Sequence, residues 1–522
     1  MVKLLRSNWF LSILCALLLK LSWIPADVSF LFFVAFIPLL HLLVKQKRVL
    51  HSFLYSFLTF FLILLLLHID FLQYVEGKKI LWVALAFLVI PFFWSIPSFV
   101  FSYVRIKRGI KSALLVFPFL FVAQEVFQYY WEFPVTWFHL GYGISNSNWL
   151  TAGYPYYGSE GGSFLIIGIN CCFYYLWAGK KAESKYWKRL SPLVLLVALL
   201  IGPLFFRIPG KQGKEIKIGM FQPSHELMDS IGENVDAQVS LLESIYVDSL
   251  KGSLDLLICP ESFLVEVENN PIFTNSIDRN KVIQRLKNLS TKIDAPILSG
   301  AILIKLYNSK DYPTPSAKKK EEGVYYDIIN GSVFITPNGK VDWKSKQWLV
   351  PMYEAIPFHG LINSLSDIFG AEVRFNNTYG VVPTSRGYKY KDLNIAAPIC
   401  YESLFPNLVS SYVRRSTNLI VILSTYWTRS EVLKQGYTNH SKMTAKSFQK
   451  SIAFAALDEE SAIINQNGNV IRSNGELFWI QYINLSAGVT TYALISRWLW
   501  VWITISFIVL FVILMRKKGE EK

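Results

Sequence analysis

Eight apolar runs, each about 17 to 25 residues long and so able to cross a bilayer as a helix, constrain this 522-residue chain more than any motif in it. They lie near 8–24, 28–44, 49–70, 80–104, 112–130, 162–178, 190–206 and 491–515. The basic residues between them alternate. Lys3 and Arg6 precede the first run; Lys45, Lys47 and Arg48 follow the second; Arg105, Lys107, Arg108 and Lys111 follow the fourth. Lys180, Lys181, Lys185, Lys188 and Arg189 follow the sixth, and Arg516, Lys517, Lys518 and Lys522 follow the eighth. The intervening short loops carry only Lys78 and Lys79.

Loops rich in Lys and Arg stay on the cytoplasmic side. This predicts both termini inside and the long segment between the seventh and eighth runs outside. The resulting divisions are a membrane domain of seven helices at 1–207, an exported domain at 208–490, an eighth helix at 491–515 and a basic cytoplasmic tail at 516–522. The first run lacks a small-residue cleavage site and belongs to the multi-span pattern, so it reads as a span and not as a removable signal. The net charge of +15 resides in membrane-flanking loops, which points away from nucleic acid as a partner.

Of the five cysteines, Cys15, Cys171 and Cys172 fall in the apolar runs, leaving Cys259 and Cys400 in the exported segment. Pairing of those two depends on geometry, and each has a better explanation in its own surroundings. His225, His359 and His440 are isolated and read as surface or loop residues. No His/Cys/Asp cluster has ligand spacing, so no metal or other cofactor is expected. The loop Tyr129–Gly162 has no Lys or Arg but many aromatics, with Glu132 and Glu160. It suits an interfacial aromatic belt or, if the exported domain acts on lipid, an entrance to its site.

The exported segment, about 280 residues, is long enough for one substantial domain. Short β-branched runs at 215–223, 254–261, 295–303, 331–340, 393–400, 418–424 and 460–472 alternate with helical stretches near 232–250, 279–293 and 437–456. That alternation predicts an α/β domain with helices over sheet faces. PTPSAKKKEEG at 313–323 reads as a solvated loop.

Three predicted strand ends finish on ionisable residues. LDLLICPESF delivers Glu261, VDWKSKQWLVP delivers Lys344 and Lys346 after a hairpin-like PNGK turn, and IAAPICYES delivers Cys400. A free thiol is only slightly ionised at neutral pH. A carboxylate can accept its proton, and a lysine can favour the thiolate and hold an oxyanion. Glu, Lys and Cys therefore make a complete set for acyl transfer through a thioester, although each residue singly also reads as ordinary core, helix-end or surface chemistry.

The order CPESF, WKSKQWLVPMYEAIP, ICYESLFP resembles the apolipoprotein N-acyltransferases, membrane-embedded members of the nitrilase superfamily. That family shows a (W)PE motif, a K-x-x-LVP-x-x-E-x-x-P motif and an ICYE motif in this order. FPVTWFHLGYG in the membrane half is similar to its FPW...GY loop. The resemblance implies an eight-span helical bundle carrying an exported nitrilase-like αββα sandwich. It implies Glu261 as general base, Lys346 as the transition-state lysine and Cys400 as nucleophile, with Glu354, Tyr401 and Glu402 in support and Lys344 as the fallback lysine. It implies a phospholipid acyl donor, a diacylglyceryl lipoprotein acceptor, a monomer and the bacterial inner membrane.

This chain departs from the family at Cys259, where Trp is usual, and at Tyr353, where Gly is usual. The strand after the nucleophile reads ILSTYWTRS in place of a SNDxWFG pattern, with Ser424 and Trp427 as survivors. A later R-x-x-E has become Thr444 and Ser447, and an NTG has become LDE. These changes fall around the substrate pocket and leave the triad intact. Another Cys-dependent acyltransferase or amidase, or a degenerate non-catalytic homologue, therefore stands as an alternative.

Overall fold

A computed structural model describes residues 7–23, 28–72, 79–134, 136, 138–178, 186–205, 211–231, 235–246, 254–265, 270–308, 313–368, 377–384, 387–425, 431–457 and 460–515. The chain forms two compact units. The first comprises Met1–Pro209, Thr428–Ser447 and Thr490–Lys522; the second comprises Gly210–Trp427 and Phe448–Val489.

The first unit is helical. Four helices are long and apolar enough to cross a membrane: Val49–His68, Val83–Arg108, Ile110–Phe127 and Tyr154–Ala178. The last predicted run is a pair, Thr491–Trp498 and Trp500–Met515, bent by 68°. The other three runs form the shorter apolar helices Asn8–Trp23, Ser29–Lys45 and Leu190–Leu204. Exposed Leu50, Leu54, Leu88, Leu115, Leu195 and Phe507 on these helices contrast with a core of Phe36, Phe60, Phe101 and Phe117, the arrangement expected where the solvent is apolar.

The aromatic loop at 129–162 divides between the two environments. Tyr130 and Trp149 are exposed, as in an interfacial belt, whereas Tyr129, Tyr142 and Tyr154 are fully buried. The buried hydroxyls have partners: Tyr129 donates to Glu160 Oε1 at 2.9 Å, and Tyr154 to the Gly141 carbonyl at 2.7 Å. Tyr492 of the bent pair donates to Glu160 Oε2 at 2.7 Å. Its ring fills the space beside Gly158, where φ is +64° and an added Cβ would lie 1.9 Å from that ring. His440, expected at the surface, is buried; it lies on helix Glu431–Phe448 with its ring 3.7 Å from that of Tyr142.

The second unit contains β1 (Lys211–Phe221), β2 (Leu256–Leu264), β3 (Ile297–Asn308), β4 (Lys318–Glu321), β5 (Val324–Ile335), β6 (Val341–Ser345) and β7 (Tyr388–Tyr390). It continues with β8 (Leu393–Ala396), β9 (Leu419–Thr425), β10 (Ser451–Leu457), β11 (Ala462–Ile464), β12 (Val470–Arg472) and β13 (Phe478–Ala487). One sheet has the order β13-β1-β2-β3-β5-β4 with β6 also on β5; the other runs β12-β11-β10-β9-β8-β7. The sheets share a core in which Ile218, Met220, Ile258, Leu298 and Phe334 of the first meet Leu419, Val421, Leu423, Ala453 and Ala455 of the second. On the other face of the first sheet, helices Val235–Tyr246 and Lys281–Ile293 bury Val239, Leu242, Val282, Leu286 and Leu289. The Lys281–Ile293 helix starts where the Asn280 side chain accepts from the Val282 and Ile283 amides, a standard N-cap.

Three further expectations need correction. The stretch 437–456 is not one helix: the helix ends at Phe448, Gln449 takes φ +49°, and Ser451–Leu457 is the fully buried strand β10. A short continuous apolar run gives no period that separates a buried strand from a helix. Lysines of the predicted loop 313–323 stand on the edge strand β4, a position where exposed lysine opposes sheet-to-sheet association. Glu261 is not at a strand end, since β2 runs on to Leu264 through an irregular stretch.

Candidate active site

Four segments of the second unit deliver the candidate residues. In β2, pairing with β3 lapses between Cys259 and Leu264, where Pro260 has no N–H to give and Ser262 adopts φ +55°. Glu261 sits in this bulge. Gly300 on β3 makes room behind it: a Cβ there would lie 2.5 Å from both Glu261 Cα and the Pro260 carbonyl.

Lys346 follows β6, with its amide donating to the Asn330 carbonyl at 2.8 Å and so extending the β5–β6 ladder by one step. The PNGK turn forms this hairpin, with Gly339 at φ +79°. Glu354 lies in the next turn. Cys400 opens the 3-10 turn Cys400–Leu404 directly after β8 and takes φ +48°. Such a conformation is strained for a residue with a side chain and recurs where geometry serves function.

The three charged groups converge. Lys346 Nζ lies 2.9 Å from Glu261 Oε1 and 3.0 Å from Glu354 Oε1, and all three side chains are buried. Asn330 Nδ2 donates to the same two oxygens, at 2.8 and 2.7 Å. The remaining carboxylate oxygens accept from backbone: Glu261 Oε2 from Thr425 N at 3.0 Å, and Glu354 Oε2 from Val350 N at 2.7 Å. Burial opposes the charge on Lys346, but Glu261, then Glu354 and the Cys400 thiol, outweigh it and hold the ammonium well above the usual lysine range. The Cys400 Sγ accepts from Ser424 Oγ at 3.5 Å. Lys344, the fallback lysine, is stacked 4.3 Å from the Tyr388 ring centroid, and burial lowers its pKa to about 8.

Glu402 holds the thiol's turn in place. Its Oε2 accepts from Ile399 N at 2.7 Å; its Oε1 accepts from Gln347 N at 2.6 Å and Tyr412 OH at 2.8 Å. One fully buried carboxylate thus ties the residue before Cys400 to the residue after Lys346. Burial pushes its pKa up, with those donors opposing. Tyr401 is buried with its ring 4.9 Å from that of Phe405.

Residues 15–172 match the family model of the apolipoprotein N-acyltransferase N-terminal domain, and residues 217–478 match that of carbon-nitrogen hydrolase. The chain belongs to the apolipoprotein N-acyltransferase family. A relative named apolipoprotein N-acyltransferase from Chlorobaculum tepidum is 24% identical over 447 residues, covering 81% of this chain and 80% of that protein. One of the same name from Geobacter metallireducens is 25% identical over 436 residues, covering 80% and 77%. Among solved structures, a carbon-nitrogen hydrolase superfamily protein from Xanthomonas campestris matches 59% of this chain and all of that one, with 13% identity and a TM-score of 0.35.

Family motifs did not reveal Asn330 or Thr425, which complete the carboxylate hydrogen bonds. The signal for Asn330 was available as an amide within the strand-like run DIINGSVFI, where it follows two isoleucines. The departures from the family pattern have distinct settings. Cys259 is fully buried, its pKa raised by that burial, and Tyr353 is exposed. Ser424 sits at the thiol, while Trp427 and 458–459 lie outside the described residues. All five cysteines are free, so Cys259 and Cys400 are not bridged. Among the described residues, no three His, Cys, Asp or Glu are grouped to hold a metal ion.

Proposed function

We propose that this protein transfers a fatty acyl chain from a phospholipid, through a thioester on Cys400, to the N-terminal amine of a diacylglyceryl-cysteine lipoprotein. The observation that carries this reading is the buried Glu261–Lys346–Glu354 cluster, joined to the thiol through consecutive residues of β9: Thr425 N donates to Glu261 Oε2 and Ser424 Oγ to Cys400 Sγ. Glu261 takes the thiol proton as Sγ attacks the ester carbonyl. The S–C bond forms, the ester C–O bond breaks, and the lysophospholipid alkoxide leaves with the proton returned from Glu261. In the second step the amine attacks the thioester. The C–N bond forms, the S–C bond breaks, Glu261 takes the amine proton and the thiolate is reprotonated. Lys346 stabilises the oxyanion of each tetrahedral intermediate. Glu354 holds Lys346 in place, and Glu402 with Tyr401 shapes the turn that carries the thiol.

The alternation of basic loops supports eight spans, with both termini cytoplasmic and the domain 208–490 outside the inner membrane. Domain limits of 1–207, 208–490, 491–515 and 516–522, acting as a monomer, complete the reading. Both substrates being lipids, the site must receive them from the bilayer.

Incubating the purified protein with phospholipid should add one acyl mass to Cys400, and a diacylglyceryl peptide should then discharge it. Absence of the adduct in the wild type, or its presence in Cys400→Ala, overturns the thioester. An adduct that water discharges and the peptide does not would make the protein an acyl hydrolase.

A further inference from the structure

Between Glu354 and Thr378 the chain leaves the turn that carries Glu354 and returns to it. The Thr378 and Tyr379 amides both donate to the Glu354 carbonyl, at 3.1 and 3.2 Å, and the Ile356 amide donates to Asn377 Oδ1 at 3.0 Å. Helix His359–Ile368 stands within this excursion. Phe358, at φ +56°, turns the chain into it, and the Phe358 carbonyl accepts from the Ile362 amide at 2.9 Å.

The pattern of this helix is inverted for a domain that meets only water. Phe358, Leu361, Leu365 and Ile368 recur at the three- and four-residue spacing that puts them on one face. That face points outward: the four are 39%, 61%, 44% and 74% exposed, and none of the helix's described side chains is buried. Residues 356–368 include no Lys, Arg or Glu and a single Asp, so charge does not solvate the helix either. A helix of ten residues is marginal in water unless packing against a partner supplies the missing burial. Tyr353, where the family usually has Gly, is exposed at the foot of the same excursion and adds a ring with one apolar body and one polar tip.

The apolar helix Leu190–Leu204 comes just before β1 and the bent apolar pair Thr491–Met515 just after β13, so the chain leashes this domain to membrane helices at both ends. Leashes that short hold a bilayer surface at a local concentration that neither a soluble partner nor a second copy reaches. An uncharged helix face edged with Phe and Leu fits that surface. We propose that helix His359–Ile368 lies in the bilayer interface, with Phe358, Leu361, Leu365 and Ile368 among the acyl chains of one leaflet. Because both ends of the excursion are fastened to Glu354, this brings phospholipid to the segment that carries the ion cluster. That last step rests on the acyl-transfer reading, whereas the interfacial helix does not.

The test uses the full chain in lipid nanodiscs containing a phosphatidylethanolamine with a diazirine on its acyl chain. Photolysis should label residues 358–368 as it labels the membrane spans, and should leave helix Lys281–Ile293 unlabelled. L361D/L365D should cut labelling of 358–368 about tenfold, since two charges placed among acyl chains oppose insertion. N363D, on the half-buried side of the helix, should keep it. An unlabelled 358–368 in the wild type, beside labelled spans, overturns the proposal, and so does equal loss in N363D. If L361D/L365D does not fold, a nitroxide on L361C decides. Oxygen should relax it more than a water-soluble nickel complex does, and the reverse order, or shielding from both by protein, rejects the lipid face. For delivery of the donor, L361D/L365D should raise the KM for phospholipid in thioester formation about tenfold, with kcat held within about twofold; an unchanged KM rejects the delivery. A wild type that forms no thioester yet is photolabelled at 358–368 would refute the acyl-transfer reading and leave the interfacial helix standing.

Discussion

Replacing Lys346 by Met tests whether the ion cluster is organised as described. The substitution keeps the length of the side chain and removes the cation between Glu261 Oε1 and Glu354 Oε1, leaving two buried carboxylates that share only the Asn330 amide, at 2.8 and 2.7 Å. Breaking a buried pair in this way costs about 3–5 kcal/mol, because the surviving charge has no compensation. Glu354→Gln alone should also destabilise, by about 1–3 kcal/mol. A glutamine carries one acceptor oxygen where the carboxylate uses both, one toward Lys346 and Asn330 and the other toward Val350 N. In the K346M background the sign should reverse. There E354Q removes the surplus negative charge, so the double variant should be about 2 kcal/mol more stable than K346M, the cluster's relief exceeding the lost hydrogen bond. Denaturant unfolding in detergent, followed by tryptophan fluorescence, measures all four proteins. Intact-mass analysis should find no acyl-enzyme in either K346M protein. If E354Q destabilises equally in both backgrounds, the shared-cation account is wrong.

Ser424→Ala removes the 3.5 Å hydrogen bond to Cys400 Sγ and should slow thioester formation about fivefold, the effect of about 1 kcal/mol; an unchanged single-turnover rate would count against a role for that hydroxyl. Gly300→Ala places a methyl group 2.5 Å from Glu261 Cα, so it should destabilise by about 1–3 kcal/mol and abolish the adduct with Glu261 still present. A wild-type acylation rate in this variant would show that Glu261 need not stand where it does. Lys344→Met should leave thioester formation intact because that lysine stacks on Tyr388; its loss in that variant would revive Lys344 as the working lysine. Lys450 is fully buried, donating to the Ser486 and Gly488 carbonyls, and burial lowers its pKa from 10.5 to about 8. Between those values the unfolded chain keeps a proton that the folded chain has released, so this residue's contribution to unfolding free energy rises with pH. Unfolding of Lys450→Met compared with wild type at pH 7.5 and 9.5 should show wild type gaining on the variant at the higher pH, and a constant difference would contradict it.

The α/β character of the second unit was written in the sequence, because β-branched runs alternating with amphipathic stretches are local signals. The motifs likewise located Glu261, Lys346, Glu354, Cys400 and Glu402, since each motif is a contiguous string. Tertiary structure decided which lysine meets the carboxylates. Lys344 and Lys346 are two residues apart, and the strand continues past Ser345 just far enough to set Lys346 between Glu261 and Glu354, with Lys344 left on Tyr388. Asn330 and Thr425 were invisible for the same reason: they reach Glu261 from 69 and 164 residues away, Asn330 from β5 of the same sheet and Thr425 from β9 of the other sheet, by packing that no local pattern encodes. Burial was also beyond the sequence for His440 and for the tyrosines around Glu160, which looked like surface or interface residues until neighbouring helices covered them. A sequence fixes which chemistry is carried and in what order along the chain. Only packing sets which groups lose their water, and it is packing that gathers one lysine and two carboxylates into a single buried cluster.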